Sequence, residues 1–265
     1  MNAAGACASG ELPAAPPALF DLHCHLDFDP EPAAAARAAA ACGLGLFSAT
    51  VEPSSYEAAS AALAPFDNVR TGLGLHPWWV AGGAASEEQL AAFERLAPDA
   101  RFIGEVGLDF GRAHGDTAYE QLAAFERVAA ACAQGGKVLT IHAVRSAGEV
   151  MDVLERRGAV EGNACVFHWF SGSSEEFHRA VKLGFYFSIN PRMLETGRGR
   201  AYARAIPSGR LLLETDAPEE GAPYDAPARA AQLAGMVDVL ADLRGAPRDG
   251  LAEAVAETSR RLLAR

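Results

Sequence analysis

Paired thiols, long apolar runs and positive charge are all scarce in this chain of 265 residues. The five cysteines stand at positions 7, 24, 42, 132 and 165 with no C-x-x-C pair. That spacing argues against a disulfide framework and for reduced thiols in a cytoplasmic protein. Nowhere do about 18 apolar residues follow one another, so no membrane span is expected. Lys and Arg number 23 against 34 Asp and Glu, a formal net charge of −11. An acidic chain does not present the broad basic surface of a nucleic-acid binder; a polyanion would need metal ions and a local arginine cluster to offset the field. Residues 1–18, "MNAAGACASGELPAAPPA", lack the basic start and apolar centre of a signal peptide and read as a flexible tail. Residues 19–265 then form a single unit, with a monomer expected.

What is present is an alternation. Short apolar runs at 18–24, 45–51, 69–75, 101–108, 137–143, 164–170, 185–190 and 210–216 are separated by longer amphipathic stretches. Ser54/Glu57, Ser86/Gln89, Thr117/Glu120, Ser146/Glu149 and Ser173/Glu176 have the spacing of a capping box. Gly43, Gly135, Gly158 and Gly184 stand where helices should stop. Eight β-then-α units in about 250 residues predict an α/β fold, the (β/α)8 TIM barrel, with a doubly wound open sheet as runner-up. Residues 225–263 read as two closing helices broken near 245–250.

Five of the seven histidines fall at the C-terminal ends of predicted strands: His23 and His25, His76, His142 and His168. In "LFDLHCHLDF" (19–28), His23 and His25 project together because side chains two apart on a strand share a face. Cys24 should turn the other way, as should Cys165 beside His168. Two carboxylates join the histidines, Glu105 in "IGEVGLD" and Asp216 in "LLLETDAP". A carboxylate in an apolar strand is costly to bury unless paired or metal-bound. Nitrogen and oxygen donors without thiolates suit Mg²⁺, Mn²⁺ or Zn²⁺. Six candidate ligands (His23, His25, Glu105, His142, His168, Asp216) exceed one tetrahedral site, and two ions sharing a carboxylate would use them all. Trp78, Trp79 and Trp169 lie just past strand ends on the same face, where they either stack on bases or wall the pocket. His178 reads as a helix-surface residue, and His114 lies in the loop after the fourth strand.

The pieces "DLHCHLDF", "GLHPWW", "IGEVGLDF", "IHAVRSA", "FHWFSGS" and "LLLETDAP", in this order over residues 19–218, resemble the TatD family of metal-dependent hydrolases, within the amidohydrolase-like barrels. The resemblance implies a dinuclear centre and phosphodiester hydrolysis, typically a deoxyribonuclease working 3′→5′ on single strands. It implies His23 and His25 as ligands of a first ion, Glu105 as bridge, and His142 and His168 as ligands of a second. It also implies Asp216 as first-ion ligand and proton acceptor, and His76 facing the scissile phosphate. Many members carry an Arg two residues after the fifth-strand His; here that position is Val144 and the arginine is Arg145. Arg192, Trp78 and Trp169 complete the expected substrate contacts. Where many members have an "R-N-x-P"-like segment, this chain has "EEGAPYDAP", whose Glu219 and Glu220 would repel a phosphate backbone. The same barrel chemistry also serves carboxylic esters and amides, aminoacyl-tRNA esters included. A partner subunit retaining metal is the non-enzymatic alternative.

Overall fold

In the computed structural model, residues 18–81 and 87–264 are described. Of the expected tail (1–18), residues 1–17 lie outside the described residues, as does the Ser86 capping position; Ala18 is described and its N–H donates to Gly43 O (3.1 Å). Eight parallel strands run in the order β1 (Leu19–Cys24), β2 (Leu44–Ala49), β3 (Val69–Leu75), β4 (Phe102–Asp109), β5 (Val138–Val144), β6 (Ala164–His168), β7 (Tyr186–Ile189) and β8 (Leu211–Leu213). Each is paired with its sequence neighbour, the order of a nearly closed TIM barrel rather than of a doubly wound sheet. Helices α1 (Pro32–Ala41), α2 (Pro53–Leu63), α3 (Pro77–Ala81), α4 (Glu87–Leu96), α5 (Ala118–Ala131), α6 (Ala147–Arg156), α7 (Ser174–Leu183) and α8 (Gly197–Ala205) alternate with the strands. The chain closes with α9 (Ala226–Arg244) and α10 (Arg248–Leu263), separated at Gly245, which takes φ +60°. Among the described residues no helix is long and apolar enough to cross a membrane.

The last strand is shorter than its apolar run suggests, because the chain turns toward β1 after Leu213. The backbone N–H of Asp216 donates to His23 O (2.9 Å). The Asp21 carboxylate accepts from Thr215 N (2.9 Å), from Thr215 Oγ1 (2.5 Å) and from the Tyr224 hydroxyl (2.9 Å). A buried carboxylate thus joins the two end strands where a ladder would otherwise run, and burial pushes its pKa up to about 7 despite the Thr215 and Tyr224 hydrogen bonds.

Glycines let the strands crowd beside the centre. A Cβ at Gly74 would lie 1.6 Å from Thr50 O, and Gly107, at φ +143°, would place one 2.0 Å from His142 O. Of the capping-box spacings, Ser173/Glu176 forms the full reciprocal box. Ser146 sits at its N-cap but turns its hydroxyl to Leu108 O (2.7 Å), and Thr117 bonds His114 O (2.9 Å) instead of the helix. Helix α2 begins at Pro53 with Glu52 as its N-cap, which leaves Ser54 inside the helix. The four expected helix-stop glycines all take positive φ.

Candidate metal centre

His23, His25, His76, Glu105, His142 and His168 converge, buried, at the C-terminal mouth, with Asp216 half-buried beside them. Glu105 is the hub, and its two oxygens divide the set. Oε2 lies 3.2 Å from His23 Nε2 and 3.5 Å from His25 Nε2. Oε1 lies 2.8 Å from His142 Nδ1, 2.8 Å from His168 Nε2 and 3.1 Å from His76 Nε2. Asp216 Oδ1 closes the first group at 3.5 Å from His23 Nε2 and 3.3 Å from His25 Nε2. The two imidazoles of β1 meet at 3.2 Å, as their i, i+2 spacing requires, while Cys24 turns away to bond Phe47 O. Asp216 itself takes φ +58°, a left-handed conformation that Asp tolerates better than most residues.

The outer nitrogens divide the histidines into two kinds. His25 Nδ1 donates to Ala49 O (3.1 Å), and His23 Nδ1 meets the Thr140 hydroxyl (2.6 Å). His142 Nε2 faces Asp109 Oδ2 (3.2 Å), and His168 Nδ1 faces Glu214 Oε1 (3.6 Å). An oxygen behind each ring favours the proton on that outer nitrogen and leaves the inner lone pair aimed at the centre, the arrangement of a metal-ligating histidine. His76 is the reverse: its Nδ1 accepts the Trp78 N–H (3.2 Å), so in the neutral ring Nε2 carries the proton. Burial pushes His76 down to about 4, so it is neutral at pH 7 and offers a donor, not a lone pair.

The electrostatics call for cations. Burial opposes the Glu105 charge, yet His76, His168, His23 and His142 together hold its pKa well below the carboxylate range. Burial also opposes the charge on His25, but the Asp216 hydrogen bond and the Glu105 charge outweigh it and raise its pKa to about 9. In the same balance Asp216 is lowered to about 2: burial opposes its charge, but the His25 hydrogen bond and the charges of His23, His168 and His25 together outweigh it. Among the described residues no lysine or arginine pairs with Glu105, Asp109, Glu214 or Asp216. Lone pairs of four imidazoles and two carboxylates pointing at common positions fit divalent ions. His23–His25–Asp216 and His23–Glu105–His168 each bring three ligand atoms within 4.8 Å of one another; His76–Glu105–His142 are equally close, but there His76 presents an N–H.

Around this centre lies a cavity of about 620 Å³, lined by Phe28, Trp78, Trp79, Trp169, Arg192 and Glu219 among others. Trp78 is 44% exposed, donates from Nε1 to Asp109 Oδ2 (2.6 Å) and stacks on His114. The Arg192 guanidinium covers the Trp169 ring at 5.3 Å. Arg145 is exposed with φ +55° and does not line the cavity, whereas Val144 does. His178 is on the α7 surface. Sequence reasoning passed over Asp109, Thr140, Ser188 and Glu214; Ser188 donates to Glu214, which backs His168. Asp109 and Glu214 lay within the motifs already singled out, two positions from a glycine or ligand, and strand periodicity alone would have put Glu214 on the Asp216 face.

The family model described as TatD related DNase matches residues 20–264. The chain belongs to the TatD-related DNase family. An uncharacterized metal-dependent hydrolase, YjjV, of Escherichia coli (strain K12) is 30% identical over 254 residues, 89% of this chain and 93% of that protein. A 3'-5' ssDNA/RNA exonuclease TatD of Edwardsiella piscicida is 35% identical over 152 residues, 55% of this chain and 56% of its own length. The chain thus aligns with about half the length of the named nucleases. The crystal structure of Escherichia coli YjjV superposes with TM-score 0.71 at 24% identity, covering 92% of this chain and 97% of that one, a likeness of fold.

Proposed function

We propose that this chain is a divalent-metal-dependent nuclease, a 3′→5′ exonuclease on single-stranded DNA, acting as a cytoplasmic monomer built of one unit over residues 19–265. The observation that carries the chemistry is the convergence of four buried imidazoles, each with an oxygen behind its outer nitrogen, on a shared carboxylate. The relatives' names support the substrate. His23, His25 and Asp216 would hold one ion and His142 and His168 the other, with Glu105 shared between them. Two such ions supply a water of lowered pKa and charge neutralisation on the scissile phosphate. They also account for a polyanion entering a chain of net charge −11.

The chain's own residues do the rest. Asp216, ionised and half-buried, accepts the proton of the attacking water and orients it. His76 Nε2–H donates to a non-bridging phosphate oxygen. Arg192 and the Trp169 face beneath it, with Trp78, hold the flanking nucleotide. Arg145 reaches the phosphate only from outside the cavity lining, so its contact is with the strand beyond the scissile bond.

End-labelled single-stranded DNA, digested with Mn²⁺ or Mg²⁺, with EDTA, and with Asp216→Asn, tests the reading. Expected are cleavage abolished by EDTA and restored by metal, and a kcat lowered about 10²–10⁴-fold in the variant with KM little changed. Cleavage surviving exhaustive chelation, or a variant within about threefold of wild type, contradicts it. An ester and amide panel run beside it tests the other hydrolytic chemistry open to this barrel.

A further inference from the structure

The rim of the barrel mouth is divided by charge. The loops after β8, β1 and β2 are contiguous around the barrel and carry Glu219, Glu220, Asp27 and Glu52. Residues 25–31, 50–52 and 214–225, which make up these loops, contain no Lys or Arg. The loops after β4, β5 and β7 carry Arg112, Arg145 and Arg192, all exposed. Asp116 and Glu195 share that arc, and Arg198 and Arg200 follow at the start of α8. Elsewhere on the surface Arg127, Arg156, Arg157, Arg179, Arg248 and Arg260 are engaged by carboxylates. Among the described residues Arg112, Arg145 and Arg192 make no ion pair. The cavity joins the two arcs where they meet: Arg192 and Glu219, from the neighbouring loops after β7 and β8, both line it.

We propose that single-stranded nucleic acid leaves the metal centre over the β4–β7 arc, its phosphates met by Arg192, Arg145 and Arg112, and that Glu219 and Glu220 bar the strand from continuing over the β8–β2 arc. This deepens the nuclease reading and rests on it. Each unpaired arginine offers a planar fork to a phosphate. On the other side a second phosphate would face carboxylates with no cation among them, a repulsive contact that discriminates as effectively as an attractive one. A strand can therefore be engaged at its end but is disfavoured where it must pass through the mouth on both sides. The rim charges give the terminal preference a physical origin, and they give the segment after Asp216 a role in it.

The test is fluorescence anisotropy with Mn²⁺ in an Asp216→Asn background, so that DNA stays intact, using a labelled linear oligodeoxynucleotide and the same sequence ligated into a circle. Arg192→Gln, Arg145→Gln and Arg112→Gln should each weaken linear binding and lower the log Kd versus log salt slope by about 0.7, one single-strand phosphate apiece. The circle, which crosses both arcs, should bind about tenfold more weakly than the linear strand, and Glu219→Gln with Glu220→Gln should narrow that gap to about threefold. Equal binding of circle and linear strand, unchanged salt slopes, or a gap untouched by the glutamate variants overturns the proposal. Turnover of bis(p-nitrophenyl) phosphate by the chain with Asp216 intact separates the two failures. This small monoanionic diester does not extend to the rim, so its hydrolysis upholds the phosphodiesterase reading whatever the arcs do, and its inertness counts against that reading.

Discussion

On β5, β6 and β8 the face that carries the metal-centre residues changes character halfway along. Its lower positions are Val138, Val166 and Leu212, which pack with Phe20, Leu22, Phe47 and Phe102 and with Leu262 and Leu263 of α10. Its upper positions are Thr140 and His142 on β5 and His168 on β6, with Glu214 and Asp216 just past the end of β8. Along β5 and β6 the period of two is unbroken; only the chemistry of the side chain changes. The lower part is sealed by apolar burial, non-directional and tolerant of shape-conserving exchange. The upper part is a polar network in which most side chains are hydrogen-bonded to one another, so removing one leaves others unsatisfied. One region supplies stability and the other spends it on geometry.

Changes in the two regions should accordingly fail in different ways. The largest effect is expected from Glu105→Gln, which removes the charge shared by both halves of the centre. Activity should fall by more than the about 10²–10³-fold that losing one electrostatic contact costs, and metal content measured by mass spectrometry should drop with it. Leu212→Ala, on the apolar part, should lower unfolding free energy by about 2–5 kcal/mol in a denaturant titration and leave metal affinity within about twofold of wild type. Thr140→Val keeps the shape but removes the partner of His23 Nδ1. It should weaken metal binding by about 10–100-fold in a competition titration with a chelating dye, with a modest change in stability.

The smallest effect concerns the seam between the two end strands. Asp21 has its pKa raised to about 7 by burial against 3.8 for the free group. Between these values the folded chain holds a proton that the unfolded chain has released. The stability that this proton confers is therefore full below about pH 4 and lost as pH rises through about 7. Asp21→Asn cannot titrate, so the difference in unfolding free energy between wild type and variant should shift in the variant's favour from pH 5 to pH 8. A difference that is flat with pH would mean Asp21 is ionised throughout.

Much of this was readable from the chain before its fold. The eight strands announce themselves because each is a short apolar run ended by a turn or helix start, and the five histidines mark one end because a barrel places all its strand C-termini on one face. What was not readable depends on register between distant strands. Thr140 reaches His23 across 117 positions, and nothing local to "KVLTIHA" distinguishes that threonine from a packing residue. The same limit applies to Ser188 and Glu214, and to Asp109, whose partners lie on β5 and α3. Capping spacings were readable only in part, since Ser146 and Thr117 find competing carbonyls that the spacing cannot show. Arg145 displays the same point at the site: one residue of offset carries it from the cavity to the rim.

The central claim is that the upper part of the barrel is a two-ion centre organised on Glu105. Metal analysis of purified wild-type chain and Glu105→Gln, each stripped with chelator, reloaded with Mn²⁺ and assayed on single-stranded DNA, tests it most directly. The account predicts two ions per wild-type chain, fewer in the variant, and cleavage that disappears on stripping and returns on loading. A stripped chain that still cleaves, or a Glu105→Gln chain that binds two ions and cleaves like wild type, would contradict it.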